Sequence, residues 1–150
     1  MAFFRPNTLW CDARYYLDEE SGVYRRKYVL ILATSPSGDD ALSAVLTSKA
    51  NGLREEPACD PGPPRAGYYV GVPGSGLIKP TWVDFSSAKD EDDFEFKRLV
   101  DNGRITCEAL VLPKDIFCGV LRCLSRSEDI NTRQHRWLAA TITSLECRQD

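Results

Sequence analysis

With 150 residues, 43% hydrophobic and 27% charged, the chain is expected to fold as one globular domain over 1–150, the commonest domain size being about 100–150 residues. Its net charge of −3 and sequence pI of about 5.2 exclude a general electrostatic attraction to nucleic acid or anionic membrane, so any phosphate site must be a local basic patch. In chain order, the first strand is predicted around 9–13, continuing toward Tyr16, with Trp10 in the core and Asp12 on the opposite face. Residues 18–22 (Asp-Glu-Glu-Ser-Gly) form a charged turn.

The apolar, β-branched run 28–32 (Tyr-Val-Leu-Ile-Leu) sits between Arg26-Lys27 and the turn Ser35-Pro36-Ser37-Gly38, which predicts a buried strand; 41–46 predicts the next. Paired as a hairpin, these strands bring Arg25 or Arg26 at the entry of one close to Thr47 and Ser48 at the exit of the other. A cation beside hydroxyl donors is what an enzyme handling phosphate needs. It is equally a feature of the rim of any small barrel. The following stretch, 50–65, carries Pro57, Pro61, Pro63 and Pro64, which remove backbone donors and favour extended conformations, so a long loop is predicted. Such a loop would lie over one opening and gate the Arg/Thr site, or else be a plain surface insertion.

A strand is predicted over 66–72, then a turn at Pro73-Gly74-Ser75-Gly76, which lacks the spacing of a phosphate-binding loop. Another strand follows over 77–85, bulged near Pro80, with Trp82 and Phe85 on opposite faces, one core and one surface. A helix is predicted to begin within 86–90 with Ser87 as cap, its apolar stripe Phe96, Leu99 and Val100, and its stop Gly103. The acidic run 90–93 then serves the helix N-terminus, since metal ligands must converge from several directions. A strand over 104–112, a helix from Pro113 to Leu124 and a helix over 132–145 capped by Asn131 complete the chain. His135 is the only histidine and is read as a packing residue of the stripe His135, Leu138, Ile142, Leu145.

Six cysteines without a C-x-x-C pair, with one histidine, argue against a zinc site, and no cofactor is expected. The first residues have no apolar signal core and no membrane-spanning run follows, so a cytoplasmic protein with reduced thiols and no membrane partner is expected. Strands first and helices last give a mainly β chain with C-terminal helices (α+β), as a small curled sheet or barrel with the helices packed on one side.

Four segments of the chain resemble the MazF/PemK family of small endoribonuclease toxins, and more distantly the ToxN-like toxins. They are Leu9-Trp10-Cys11-Asp12, the arginines with their apolar strand (25–32), Leu46-Thr47-Ser48, and Gly76-Leu77-Ile78-Lys79-Pro80-Thr81-Trp82-Val83, in the expected order over about half of the chain. Lys27 stands where that family usually has proline, and the 50–65 loop is longer. The resemblance implies an SH3-like barrel and metal-independent cleavage of single-stranded RNA, the ribose 2′-hydroxyl attacking the adjacent phosphate to leave a 2′,3′-cyclic phosphate. It makes Arg25 or Arg26 the phosphate-binding cation and Thr47 and Ser48 the hydroxyls of the catalytic set. Lys27 and Lys49 are RNA-binding candidates, and Tyr68, Tyr69 and Trp82 are candidate base platforms. A cognate antitoxin and a homodimer are implied partners. The alternative is a non-catalytic SH3-like module that binds a protein or nucleic acid.

Overall fold

The computed structural model describes residues 3–74 and 76–148. Met1 and Ala2 of the N-terminal segment and Ser75 of the glycine-rich turn lie outside the described residues. Among the described residues seven strands form one antiparallel sheet: β1 (Thr8–Asp18), β2 (Val23–Thr34), β3 (Asp40–Thr47), β4 (Cys59–Asp60), β5 (Gly67–Gly71), β6 (Thr81–Asp92) and β7 (Ile105–Glu108). The order is β4-β5-β6-β3-β2-β1-β7, so the sheet is open, with β4 and β7 at its edges. Helix α1 (Asp93–Asp101) joins β6 to β7, and α2 (Lys114–Ser125) and α3 (Thr132–Ser144) close the chain. The mainly β architecture with C-terminal helices is as the sequence indicates.

β2 and β3 are central because they are apolar on both faces. Leu30, Leu32, Leu42 and Leu46 pack with Phe117 and Leu121 of α2 and with Trp137 and Leu138 of α3. Ile31 and Ala41, pointing the other way, pack with Phe4, with Phe96 of α1 and with Ile105 of β7. A strand with two apolar faces must be covered twice. The helices therefore lie on both sides of the sheet, α2 and α3 on one and α1 on the other, in place of the single-sided arrangement read from element order.

The predicted helix start at Ser87 is overturned. β6 continues to Asp92 because β3 takes it as a partner, Ala41 opposite Glu91 and Ser43 opposite Lys89. Ser87 fills a gap in that ladder: the register shifts between Ser43 and Val45, and the Ser87 hydroxyl accepts the Val45 N–H at 2.8 Å. The capping role passes to Asp92, whose carboxylate accepts the Phe94 N–H at 2.9 Å. Asn131 caps α3 as expected, in a capping box with Gln134. The buried face of α3 is Gln134, Trp137, Leu138 and Thr141, with His135 half-buried at its side.

Asp12 is not on the solvent face. Residues two apart share a face, so Asp12 follows Trp10 beneath the sheet and is 5% exposed, where Arg104 binds both its oxygens at 2.8 and 3.2 Å. Trp82 and Phe85 are both buried. Neither is the surface residue of the pair, and Trp82 is covered by the proline-rich segment, whose Arg54 carbonyl accepts the indole N–H at 2.9 Å.

That segment is anchored to the sheet and to α2. Leu53 is buried, Arg54 donates to the Cys59 carbonyl at 3.1 Å, and β4 pairs with β5. The expectation of six reduced thiols is overturned as well. Cys59 is disulfide-bonded to Cys123 of α2, and Cys118 of α2 to Cys147 beyond α3. The partners are 64 and 29 residues apart, so no local spacing announces them. Cys11 (buried) and Cys107 (exposed) are free. Thiol titration of the denatured, unreduced protein should therefore find two reactive thiols, rising to six after reduction. Cys59→Ser should lower unfolding free energy by about 2–4 kcal/mol, measured by urea denaturation.

Candidate functional site

The β2–β3 hairpin pairs Val29 with Val45 and Tyr28 with Leu46, and this register runs outward toward Lys27 and Thr47. At that end of the sheet a groove of about 210 Å³ opens, bordered by Arg26, Lys27 and Tyr28 of β2 and by Thr47 and Ser48 at the end of β3. Its far wall is the segment 76–79 with Thr81 of β6. The close approach of Arg26 and Lys27 to Thr47 and Ser48 is the arrangement expected from the hairpin.

Among the described residues three cations border the groove, Arg26, Lys27 and Lys79, and no carboxylate does. None of the three forms an ion pair with a described residue. The Arg26 guanidinium lies over the Tyr28 ring, 5.7 Å from its centroid, which steadies the guanidinium without neutralising it. The hydroxyls differ in what they have left to give. Thr47 Oγ1 accepts the Lys49 N–H at 3.1 Å, and its own proton meets only a 3.5 Å contact with the Lys49 carbonyl, too long to hold it. Thr81 Oγ1 donates to the Lys79 carbonyl at 2.8 Å, so its proton is committed. Thr47 and exposed Ser48 are thus available donors, beside cations, in a site that suits an anion.

The two arginines are separated by the alternation of the strand. Arg25 bonds Asp18 at 3.2 Å and holds that carboxyl below its ordinary range, while Arg26 borders the groove. Lys49 is exposed and lies past the groove, contributing its backbone rather than its ammonium group. The aromatic candidates lie elsewhere. Trp82 is 5% exposed and is a core residue in place of a base platform. Tyr69 packs against its ring, centroids 5.2 Å apart, with partial burial and then Glu55 pushing the phenol above its ordinary pKa. Tyr68 is half-buried with its hydroxyl against Gly119 of α2, where a Cβ would displace the ring.

The aromatic residue of the groove is Tyr28, which sequence reasoning assigned to the buried strand alone. Its hydroxyl reaches Gly76 so closely that a methyl group there would push the ring aside. Lys79 and Thr81 were also missed as site residues. Their signal is the polar, proline-containing stretch after a glycine turn, which the bridge between Gly74 and Leu77 folds back toward β2.

Outside the groove, Glu91 is pushed above the ordinary carboxyl range, first by burial, against the opposing pull of Lys89 and the 2.9 Å bond from Ser43. It pairs with Ala41, six residues up β3 from Thr47 and about 20 Å away. Glu91 therefore cannot serve the groove. Among the described residues no cluster of three or more His, Cys, Asp or Glu side chains converges as around a metal ion, and no helix is long and apolar enough to cross a membrane. No protein-family model matches the chain, and no curated protein matches it.

The raised pKa of Glu91 has a direct consequence for stability. The fold favours the protonated form, so stability is full below the unfolded-state pKa and falls as pH rises through the folded one. Glu91→Gln keeps the shape and the acceptor for Ser43 while removing the buried charge. Thermal melts should show it more stable than wild type at about pH 7 and equal to it at about pH 4 and below.

Proposed function

We propose that the groove holds the phosphate of single-stranded RNA and that the chain is a metal-independent endoribonuclease of the MazF/PemK kind. The observation that carries this reading is the convergence of Arg26, Lys27 and Lys79 with two free hydroxyl donors, Thr47 and Ser48, and no carboxylate. In the reaction the 2′-oxygen attacks phosphorus, the bond to the 5′-oxygen breaks, and a 2′,3′-cyclic phosphate remains. Negative charge grows on the non-bridging oxygens at the pentavalent stage. Arg26, through its planar fork, and Thr47 and Ser48, through their hydroxyls, donate to those oxygens. The 2′-hydroxyl proton leaves to water and the 5′-oxygen takes one from water, since no histidine or carboxylate borders the groove.

The reading extends to the fold, the protein's setting and its partners. The register shifts in the β1/β2, β2/β3, β3/β6 and β5/β6 pairs support an opened form of an SH3-like barrel, because bulges coil a sheet. A homodimer and an antitoxin with an acidic segment belong to the same proposal, the latter by complementarity to the unpaired cations, whereas the two disulfides weigh against the cytoplasmic setting that the resemblance implies. The lack of a histidine or carboxylate among the described residues of the groove favours the second reading, a module that binds RNA without cleaving it.

Purified protein incubated with a long single-stranded RNA in EDTA distinguishes the two. Wild type and Arg25→Ala should release fragments with cyclic phosphate ends. Arg26→Ala and Thr47→Ala should be slower by about 100-fold or more, the cost of removing a transition-state donor. RNA bound but intact moves the assignment to the binding module, and RNA neither bound nor cut overturns both.

A further inference from the structure

We infer that a separate groove, between α3 and the β2–β3 turn, binds a small organic monocarboxylate whose apolar body carries one uncharged polar group. Neither its walls nor its chemistry involve the Arg26 groove. Its volume of about 530 Å³ lies within the range of about 300–1,000 Å³ common to small-molecule sites. Trp137, Ala140 and Leu145 of α3, with Pro6 and Pro36 from outside the helix, give it an apolar lining. The walls are held without a ligand. Ser35 of the turn is bonded to Asp40, and Arg133 lies over the Trp137 ring, 5.3 Å from its centroid, while pairing with Asp90.

Two polar groups in this lining are left over. Thr141 is 5% exposed, and its hydroxyl has no hydrogen-bond partner among the described residues. A buried donor without a partner is costly, so it marks the place of an acceptor inside the groove. Arg136 borders the same groove without an ion-pair partner among the described residues, whereas Arg133 is committed to Asp90. Among the described residues no carboxylate lines the groove, and the first turn of α3 carries no acidic residue to compensate the positive end of its dipole. One free guanidinium balances one negative charge, and its planar fork matches a carboxylate. A phosphate dianion would find no second free cation here. From Arg136 to Ser144, both in the lining, the helix rises about 12 Å, which suits a body the length of two fused rings.

Isothermal titration calorimetry of the intact protein tests this with hydroxynaphthoate, which carries a carboxylate and a hydroxyl at opposite ends of two fused rings. Saturable one-to-one binding with a Kd of about 1 mM or below is expected. The matching amide, hydroxynaphthamide, should bind at least about 10-fold more weakly, and Arg136→Ala should reduce the carboxylate to the affinity of the amide. Thr141→Val should weaken hydroxynaphthoate by about 2- to 10-fold and leave naphthoate, which lacks the hydroxyl, unchanged. Ala140→Phe, at an exposed position of the groove, should abolish binding of all three compounds. Thermal melts verify folding of each variant. The site is overturned if wild type shows no saturable binding, if acid and amide bind equally, or if Arg136→Ala and Ala140→Phe bind like wild type. Loss of binding in Arg26→Ala with Arg136→Ala unaffected would place the anion in the other groove and overturn it as well.

Discussion

The register of the β2–β3 hairpin is the constraint on which the groove depends. A slip of one residue would turn Arg26 and Tyr28 to the other face of the strand and away from their places in the groove. The apolar run cannot prevent such a slip by itself, because residues 29–33 are buried on both faces and either set would find a core. The turn pins it. Ser35 donates its N–H to the Asp40 carbonyl at 2.9 Å, and its hydroxyl accepts the Asp40 N–H at 3.1 Å. Gly38 takes a φ of +78°, a left-handed conformation that favours glycine, and donates to the Ser35 carbonyl at 2.9 Å. A turn at one end of the hairpin thereby places a guanidinium beside hydroxyls at the other.

The remaining walls are fixed by contacts far apart in sequence. Thr47 pairs with Trp82, which orders the start of the proline-rich segment, because Trp82 in turn holds the Arg54 carbonyl. Cys59 ties the same segment to α2 through Cys123. Ser48 therefore sits between a β-ladder on one side and an anchored loop on the other, and its hydroxyl is presented by backbone that is held at both ends. A long loop with few regular hydrogen bonds would otherwise leave that hydroxyl poorly positioned.

Elements whose signal is local were legible: the buried run of β2, the turn after it, Asn131 as cap and Gly103 as stop. Those decided by tertiary pairing were not. Ser87 carries a good cap signal, yet β3 needed a partner as far as Asp40, and strand pairing outweighed it. Strand alternation leaves one of Trp82 and Phe85 to the surface, and it is a loop some 28 residues earlier that covers Trp82. The disulfides bring together cysteines with no sequence relation, and the assumption of a reducing setting hid them. In the groove, Arg26, Thr47 and Ser48 were legible because one hairpin brings them together. Choosing Arg26 over Arg25 required knowing that Asp18, across the β1–β2 hairpin, occupies Arg25.

An acidic chain holds a basic groove because its charges are segregated along the sheet. Asp40 at one end of β3 is paired with Asp92, beside Glu91 and Asp93, whereas Thr47 and the three cations stand at the other end. Seven residue steps of strand separate the two ends, about 23 Å. The screening length at physiological ionic strength is about 8 Å, so the acidic end contributes little field at the groove. A phosphate arriving there meets the local cations, not the net charge of −3. At low ionic strength the acidic end would repel an approaching RNA over a longer range, while the cations would also attract it more strongly. The net charge therefore governs how the whole chain behaves in solution, and the groove governs what it can hold.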